Sequence, residues 1–359
     1  MTNDSHDRRL RIGVLGCGPI CQSAHFDAIR KSRNAELYAI CDVAVDLLER
    51  MNVVHRPAKT YADFADMLAD KEVDAVLIGV ADQYHVPLAI DAIRAGKHVL
   101  IEKPLGTTIE ECEGLRDALA GTKLVLQVGH NRRFDPGYTF AREFIDTEIG
   151  ELMAIKAWYC DSTVRYTMTD NLQPIIETSD QIRRPPGNPK ADRRRYYMLG
   201  HGSHLVDTAR FIGGEIEAVR ATLVEKFGAY CWFVTLDYAN GAVGHLDLTI
   251  AVRGDFSEGF NVYGEAGSVR AEMPLTWYHK SSVVECYSAK QGVIRKPLGE
   301  DGHTYRRQIE GFADVIRNDS PMHGANIDDG IAGMRTMAAI ARSVETGEKV
   351  RLADVTGGV

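Results

Sequence analysis

The feature that most limits what this chain can fold into is an alternation of strand and helix patterns over its first 130 or so residues. Leu10–Gly16 is an apolar strand, Cys21–Arg33 a helix pattern and Glu36–Asp42 a second strand. Val45–Met51 and Ala62–Ala69 read as helical, and Ala75–Val80 as a third strand. The helix His85–Ala95 follows and Gly96 ends it; strand Lys97–Glu102, helix Thr108–Ala120 and strand Lys123–Gly129 complete the series. Strands separated by helices pair in parallel and bury both faces, so their sequences are short apolar runs without polar alternation. The expectation is an α/β fold with a doubly wound, mostly parallel sheet. Such sheets bind ligands in the crevice at the carboxyl ends of their strands.

The pattern changes after Gly150. Leu152–Asp161, Glu217–Lys226, Cys231–Tyr238, Ala242–Val252, Gly259–Tyr263 and Ser268–Met273 are β-rich runs, and Asn240-Gly241 between two of them signals a hairpin. This predicts a largely antiparallel sheet in an α+β second domain. A polar stretch rich in proline and arginine, 162–195, is too long for an idle loop and reads as a substrate loop or lid. The helix Tyr197–Ile212 follows it, and two terminal helices, Tyr305–Arg317 and Asp328–Thr346, are expected to pack back on the body. The 359 residues suit about two domains, divided here as 1–130 and 131–359.

A formal charge of −8 argues against a general nucleic-acid binder. No apolar run approaches the roughly 18 residues of a membrane span. Met1–Arg9 is polar, without the apolar core of a signal peptide, and reads as a short frayed arm. The seven cysteines are scattered, with no Cys-x-x-Cys, and the histidines lack ligand spacing. A reduced cytoplasmic protein without a metal site is expected.

Three landmarks carry chemistry. The first strand ends in a glycine-rich turn, where Gly16 and Gly18 match the first two positions of a dinucleotide fingerprint and Pro19 and Ile20 lead into the helix. The first glycine makes the tight turn, and the second lets backbone approach a pyrophosphate at a helix N-terminus. Cys21 stands where the third glycine or alanine belongs. Asp42 ends the second strand, where a carboxylate accepts both ribose hydroxyls; Val43-Ala44-Val45-Asp46 offers no arginine for a 2′-phosphate, which favours NAD over NADP. Asp82 and His85, after the third strand, are candidates to line the cofactor crevice, Asp82 also being placed to cap the following helix. The second landmark is Glu102-Lys103-Pro104 at the end of the fourth strand. Its lysine points into the crevice, and proline fixes the backbone beside it. The third is His204, well downstream.

These residues resemble the glucose–fructose oxidoreductase / inositol dehydrogenase / rhizopine-catabolism (Gfo/Idh/MocA) oxidoreductase family. The carriers are Gly16-Cys17-Gly18, the run from Ala95 through Glu102-Lys103-Pro104 to Leu105, Gly129-His130-Asn131-Arg132-Arg133-Phe134-Asp135-Pro136, and Gly202-Ser203-His204-Leu205-Val206-Asp207. The resemblance implies a Rossmann domain, a C-terminal α/β domain whose open sheet forms the interface of a homodimer or homotetramer, and NAD(P)-linked chemistry on sugars, cyclitols or related polyols. It places Lys103 on the reacting hydroxyl, with His204 as acid/base or orienter on its other side, a task suited to a group titrating near neutrality. Glu102 joins Lys103 at the cofactor, and Arg133 is assigned to the substrate. Asp207, one helical turn after His204, is assigned to the substrate site, where it orients His204, or simply to the helix. One departure stands out. Many relatives carry an aspartate four residues before this histidine, where the present chain has Gly200. His201, Tyr197, Tyr196 or a residue of 162–195 are the candidates to replace it.

Arg183, Arg184, Arg193, Arg194 and Arg195 crowd the segment before the helix, and Arg165 lies further back. Guanidinium forks suit an anionic group on the substrate, such as a carboxylate, sulfonate or phosphate; Arg183, Arg184 and Arg195 are the substrate candidates. Trp158 and Tyr166 are candidates to stack on a sugar ring. The first functional reading is an NAD-dependent dehydrogenase of a sugar, glycoside or cyclitol. The second is a redox-neutral NAD-dependent glycoside hydrolase that oxidises, eliminates, adds water and re-reduces. A non-catalytic NAD-binding regulator is the third, since a fold does not fix a function.

Overall fold

The computed structural model describes residues 8–164, 172–188 and 190–359. Two compact units make up the chain: one is 1–131 with 173–189 and 305–331, the other 132–172 with 190–304 and 332–359.

The first unit is built on a six-stranded parallel sheet of β1 (Leu10–Leu15), β2 (Ala35–Cys41), β3 (Lys59–Tyr61), β4 (Ala75–Ile78), β5 (His98–Ile101) and β6 (Leu126–Val128). Its order, β3-β2-β1-β4-β5-β6, is that of a dinucleotide-binding sheet. Every residue of β4 is buried, as expected of a strand with both faces covered. Each such Val, Leu or Ile side chain contributes about 1.5–3 kcal/mol by leaving water. The crossover helices are α1 (Phe26–Lys31), α2 (Val45–His55), α3 (Phe64–Ala69), α4 (His85–Arg94) and α5 (Ile109–Leu119). Local chemistry sets their starts: Thr108 and Glu111 form a reciprocal capping box on α5, and the Asp63 side chain caps α3. A π-helical turn, Cys21–His25, leads into α1. Strand β3 was not anticipated, since it is only three residues long and none of them is buried.

The second unit holds a nine-stranded sheet, antiparallel except at one pairing. Its strands are β7 (Leu152–Val164), β8 (Ile216–Lys226), β9 (Ala229–Tyr238), β10 (Val243–Arg253), β11 (Ser257–Gly264), β12 (Gly267–Met273), β13 (Val283–Ser288), β14 (Val293–Arg295) and β15 (Val350–Arg351). The order is β14-β13-β12-β11-β7-β10-β9-β8-β15, with β7 and β10 parallel. Burial alternates along β8, β10 and β12, so one face is covered and the other open. The covering helices are α6 (Pro136–Thr147) and α8 (Ser203–Gly213). Helix α6 was not anticipated, although Asp135 as side-chain cap and Pro136 in the first turn are a start signal. Strands β13 to β15 were also missed. The helix expected from Tyr197 starts earlier, as α7 (Arg193–Tyr197), passes through a π turn at Met198–Gly202 and continues as α8. The terminal helices are α9 (Thr304–Asn318) and α10 (Ile327–Thr346). Among the described residues no helix is long and apolar enough to cross a membrane.

Candidate functional site

In the first unit the glycine turn is built as its fingerprint requires. Gly16 has φ +101°, and a Cβ there would lie 2.6 Å from the carbonyl oxygen of Gly79, so only glycine fits. A Cβ on Gly18 would meet nothing within 4 Å, leaving the backbone open to close approach by a pyrophosphate. Cys21 replaces the usual third glycine because Gly79 gives way: a Cβ on Gly79 would overlap the buried Cys21 sulfur. Pro19 is exposed, and Ile20 makes no side-chain cap on the π turn that follows, so no side chain there competes with a phosphate for the first amides. Asp42 accepts the Cys17 amide at 2.7 Å through Oδ2 and the Ala44 amide at 2.8 Å through Oδ1. A carboxylate has about four acceptor sites, so these bonds fix its orientation without exhausting it for ribose hydroxyls. These residues fit a dinucleotide.

Lys103 follows β5 on a tightly braced turn. Glu102 is buried, takes the Lys103 amide on Oε2 at 3.1 Å, and meets His25 Nε2 through Oε1 at 2.7 Å. Burial pushes the Glu102 carboxyl up, but the His25 hydrogen bond and the charges of His25 and Lys103 outweigh it and hold the group below its usual range. His25 also packs edge-on against Tyr305. His85 is fully buried, with Nδ1 2.7 Å from the Pro104 carbonyl and Nε2 3.1 Å from that of Val80. Glu102 and His85 spend these side-chain bonds within the protein, where they brace the Lys103 turn. Asp82 opens a 3-10 turn, Asp82–Tyr84, and the capping role considered for it is corrected: α4 has no side-chain cap.

The segment 173–188 belongs to this unit as a strap. Gln22 and Glu177 exchange two hydrogen bonds, at 3.0 and 2.8 Å. Arg50 donates to the Thr178 carbonyl at 2.7 Å, and Ser179 to Asp46 at 2.6 Å. Arg183 lies over the Tyr84 ring, whose hydroxyl reaches the Arg184 carbonyl. The arginine run is therefore not one loop. Arg183 and Arg184 ride on the strap, whereas Arg193, Arg194 and Arg195 form α7 in the other unit. Arg194 pairs with Glu225 there, and Arg195 is half-buried. Arg165 and Tyr166 lie outside the described residues.

In the second unit His201 sits in the π turn and His204 in the first turn of α8. A π turn inside a helix often marks a functional site. Tyr159 of β7 ties the two histidines together: its ring stacks on His204 at 6.1 Å between centroids, and its hydroxyl is 3.3 Å from His201 Nδ1. Asp161, two residues along the strand, places Oδ2 3.7 Å from the same nitrogen. Tyr197 packs on His201 and on Tyr230, which stacks on Trp232. A Cβ on Gly200 would meet nothing within 4 Å. Tyr159 and Asp161 were missed. Their signal is two polar groups spaced two apart, hence on one face, at the carboxyl end of a strand. Trp158, proposed for sugar stacking, points to the opposite face, where its indole donates to Ser257 at 3.0 Å.

Arg133 and Asp207 form a buried forked pair, Nη2 and Nε of Arg133 lying 2.8–3.2 Å from the Asp207 oxygens. Geometry of this kind joins α8 to the 3-10 turn Asn131–Phe134. Arg132 makes a similar buried fork with Glu258.

Comparison with known proteins agrees with both units. An oxidoreductase family model described as an NAD-binding Rossmann fold matches residues 10–130, and the model of the same family's C-terminal alpha/beta domain matches 197–352. The inositol 2-dehydrogenase 2 of Saccharopolyspora erythraea is 26% identical over 353 residues, covering 94% of each chain. The myo-inositol 2-dehydrogenase of Thermotoga maritima is 27% identical over 363 residues, covering 97% of this chain and all of that one. A levoglucosan dehydrogenase solved with NADH and L-sorbose shares the fold, with TM-score 0.77 at 20% identity over 97% of this chain and 100% of that one. The chain belongs to the Gfo/Idh/MocA oxidoreductase family, and its first domain is an NAD-binding Rossmann domain.

Proposed function

We propose that this protein is an NAD-dependent dehydrogenase that oxidises a ring hydroxyl of a sugar, glycoside or cyclitol. The observation that carries the reading is the Lys103 turn, braced from below by Glu102, His25 and His85 in a unit that binds NAD. NAD, when bound, supplies the acceptor for the hydride that leaves the carbon. Lys103 donates a hydrogen bond to the reacting hydroxyl and favours its ionisation, and the His201/His204 pair takes up the proton. The half-buried rings of Tyr197 and Tyr230 offer flat apolar surface to a sugar ring. Asp42 selects the ribose diol of NAD over a 2′-phosphate. Arg183 and Arg184 on the strap of the first unit and, separately, Arg195 of the second are the candidates for an anionic group on the substrate.

The relatives quoted above are named as dehydrogenases, which supports net oxidation over redox-neutral hydrolysis. The second unit is assigned to substrate binding and assembly. The open face of the nine-stranded sheet presents Phe233, Val243, Tyr263, Val283 and Tyr287, a surface suited to a homodimer or homotetramer. Seven free thiols fit a reducing cytoplasm. The test is NADH formation from NAD over a panel of inositols, aldoses, anhydrosugars, uronates and sulfo-sugars, with aglycone release followed in parallel on chromogenic glycosides. NADH without aglycone supports the reading and ranks the substrates. Aglycone release without net NADH, or no turnover on any member, overturns it.

A further inference from the structure

His201 is the more exposed of the two histidines, and what faces its Nδ1 edge decides which proton it can move. The titratable groups seen against this ring include Asp161 and Tyr159 from β7 and Tyr197 from its own helix, with Tyr230 of β9 behind Tyr197. Of these, the tyrosines are phenols and Asp161 is the carboxylate. Its side chain is 13% exposed and that of His201 25%, so the pair is shielded but not sealed. At 3.7 Å the Asp161 carboxylate acts on Nδ1 through its charge, which favours a proton on that nitrogen and leaves Nε2, at the opposite edge of the ring, as the acceptor. It also stabilises the imidazolium once Nε2 has been protonated. Asp161 and Tyr159 share the helix-covered face because they are two apart on one strand. They therefore hold the ring from a rigid element and not from the helix that carries it.

We propose that Asp161 is the positioning residue of a carboxylate–imidazole pair in which His201 Nε2 is the proton acceptor, the role that Gly200 leaves unfilled. This rests on the dehydrogenase reading above. In the step, the substrate O–H and C–H bonds break and the C=O bond forms. The proton goes to His201 Nε2, the hydride to NAD, and the imidazolium later returns its proton to water. Tyr159 reaches the same nitrogen through its hydroxyl at 3.3 Å, and its ring packs tilted against the imidazole.

Three readouts test this on the full-length protein: steady-state kinetics across pH with the best polyol and NAD, the His201 ring titration by NMR without substrate, and NADH binding by fluorescence. Asp161→Asn is expected to lower kcat on the order of 10- to 100-fold with little change in KM. The carboxylate favours the imidazolium, so its loss lowers the His201 pKa. The acid limb of the pH–rate profile and the NMR midpoint should both move to lower pH. Asp161→Glu should recover part of kcat and of the midpoint, and Tyr159→Phe should leave the midpoint near wild type. Unchanged NADH binding shows that the first unit of each variant is intact, and the recovery in Asp161→Glu shows the same of the second. If wild type turns over polyols while Asp161→Asn keeps its kcat, acid limb and midpoint, the assignment of Asp161 is overturned and the dehydrogenase reading stands. If wild type reduces no NAD on the whole panel, the dehydrogenase reading fails. The NMR midpoint then still decides the pairing: an unmoved midpoint in Asp161→Asn rejects it, and a lowered one retains it.

Discussion

The Lys103 turn and the His201 wall hold their chemical groups in opposite ways. Around Lys103 the supporting side chains are buried and their contacts short: His25 to Glu102 at 2.7 Å, His85 to the Pro104 carbonyl at 2.7 Å. Around His201 the ring and Asp161 are partly exposed, although Tyr159 is buried, and the contacts are longer, 3.3 Å to Tyr159 and 3.7 Å to Asp161. A saturated, buried network fixes one geometry and is costly to disturb. A looser, half-open cluster leaves room for closer contacts when substrate displaces water, as catalytic hydrogen bonds commonly tighten in the complex. The lysine is thus prepared in advance, and the histidine is left adjustable.

The largest effect should come from the prepared side. Lys103→Ala is expected to lower kcat by about 10²–10⁴-fold, the range for loss of an acid/base group, with NADH binding largely retained. A drop in both together would mean that the lysine holds the cofactor more than the hydroxyl. In the second unit, Arg133→Ala strands the buried Asp207 carboxylate and should cost about 3–5 kcal/mol of stability in urea unfolding. A variant of wild-type stability with a raised KM would return Arg133 to the substrate.

A smaller effect is expected at Glu102→Gln, which keeps the shape and removes the charge facing His25, at about 1–3 kcal/mol. Because the folded-state pKa of Glu102 is depressed, its stabilisation is present in full above the ordinary carboxylate value of 4.5 and is lost as pH falls through the lower folded value. The stability gap between wild type and Glu102→Gln should hold steady near neutrality and close in acid. A gap that widens in acid would contradict the assignment. The smallest effect is expected at Arg194→Ala. Its side chain is 60% exposed in the pair with Glu225, and exposed pairs contribute about 0–1 kcal/mol. An effect on KM for anionic substrates, with no change for neutral ones, would instead place Arg194 in substrate recognition.

The chain's own sequence determined the first unit nearly outright. Parallel strands buried on both faces, a glycine turn with φ +101° at Gly16, and Lys103 after an apolar run are local signals, because backbone conformation and strand burial are written in neighbouring residues. It also carried the change to an antiparallel sheet and the hairpin at Asn240-Gly241. It could not show that Glu102 and His85 turn inward, since the partners, His25 and the Pro104 and Val80 carbonyls, include groups many positions away. Nor could it separate Arg183 and Arg184 from Arg193, Arg194 and Arg195, because their division between two units depends on contacts such as Ser179 to Asp46. The same holds for Arg133 and Asp207, whose charges suggested a ligand until the fold paired them, and for Tyr159 and Asp161, which gain meaning only when β7 lies under the helix of His201 and His204. Local pattern decides what each segment becomes; which charges meet one another and which remain for a substrate is decided by long-range packing alone.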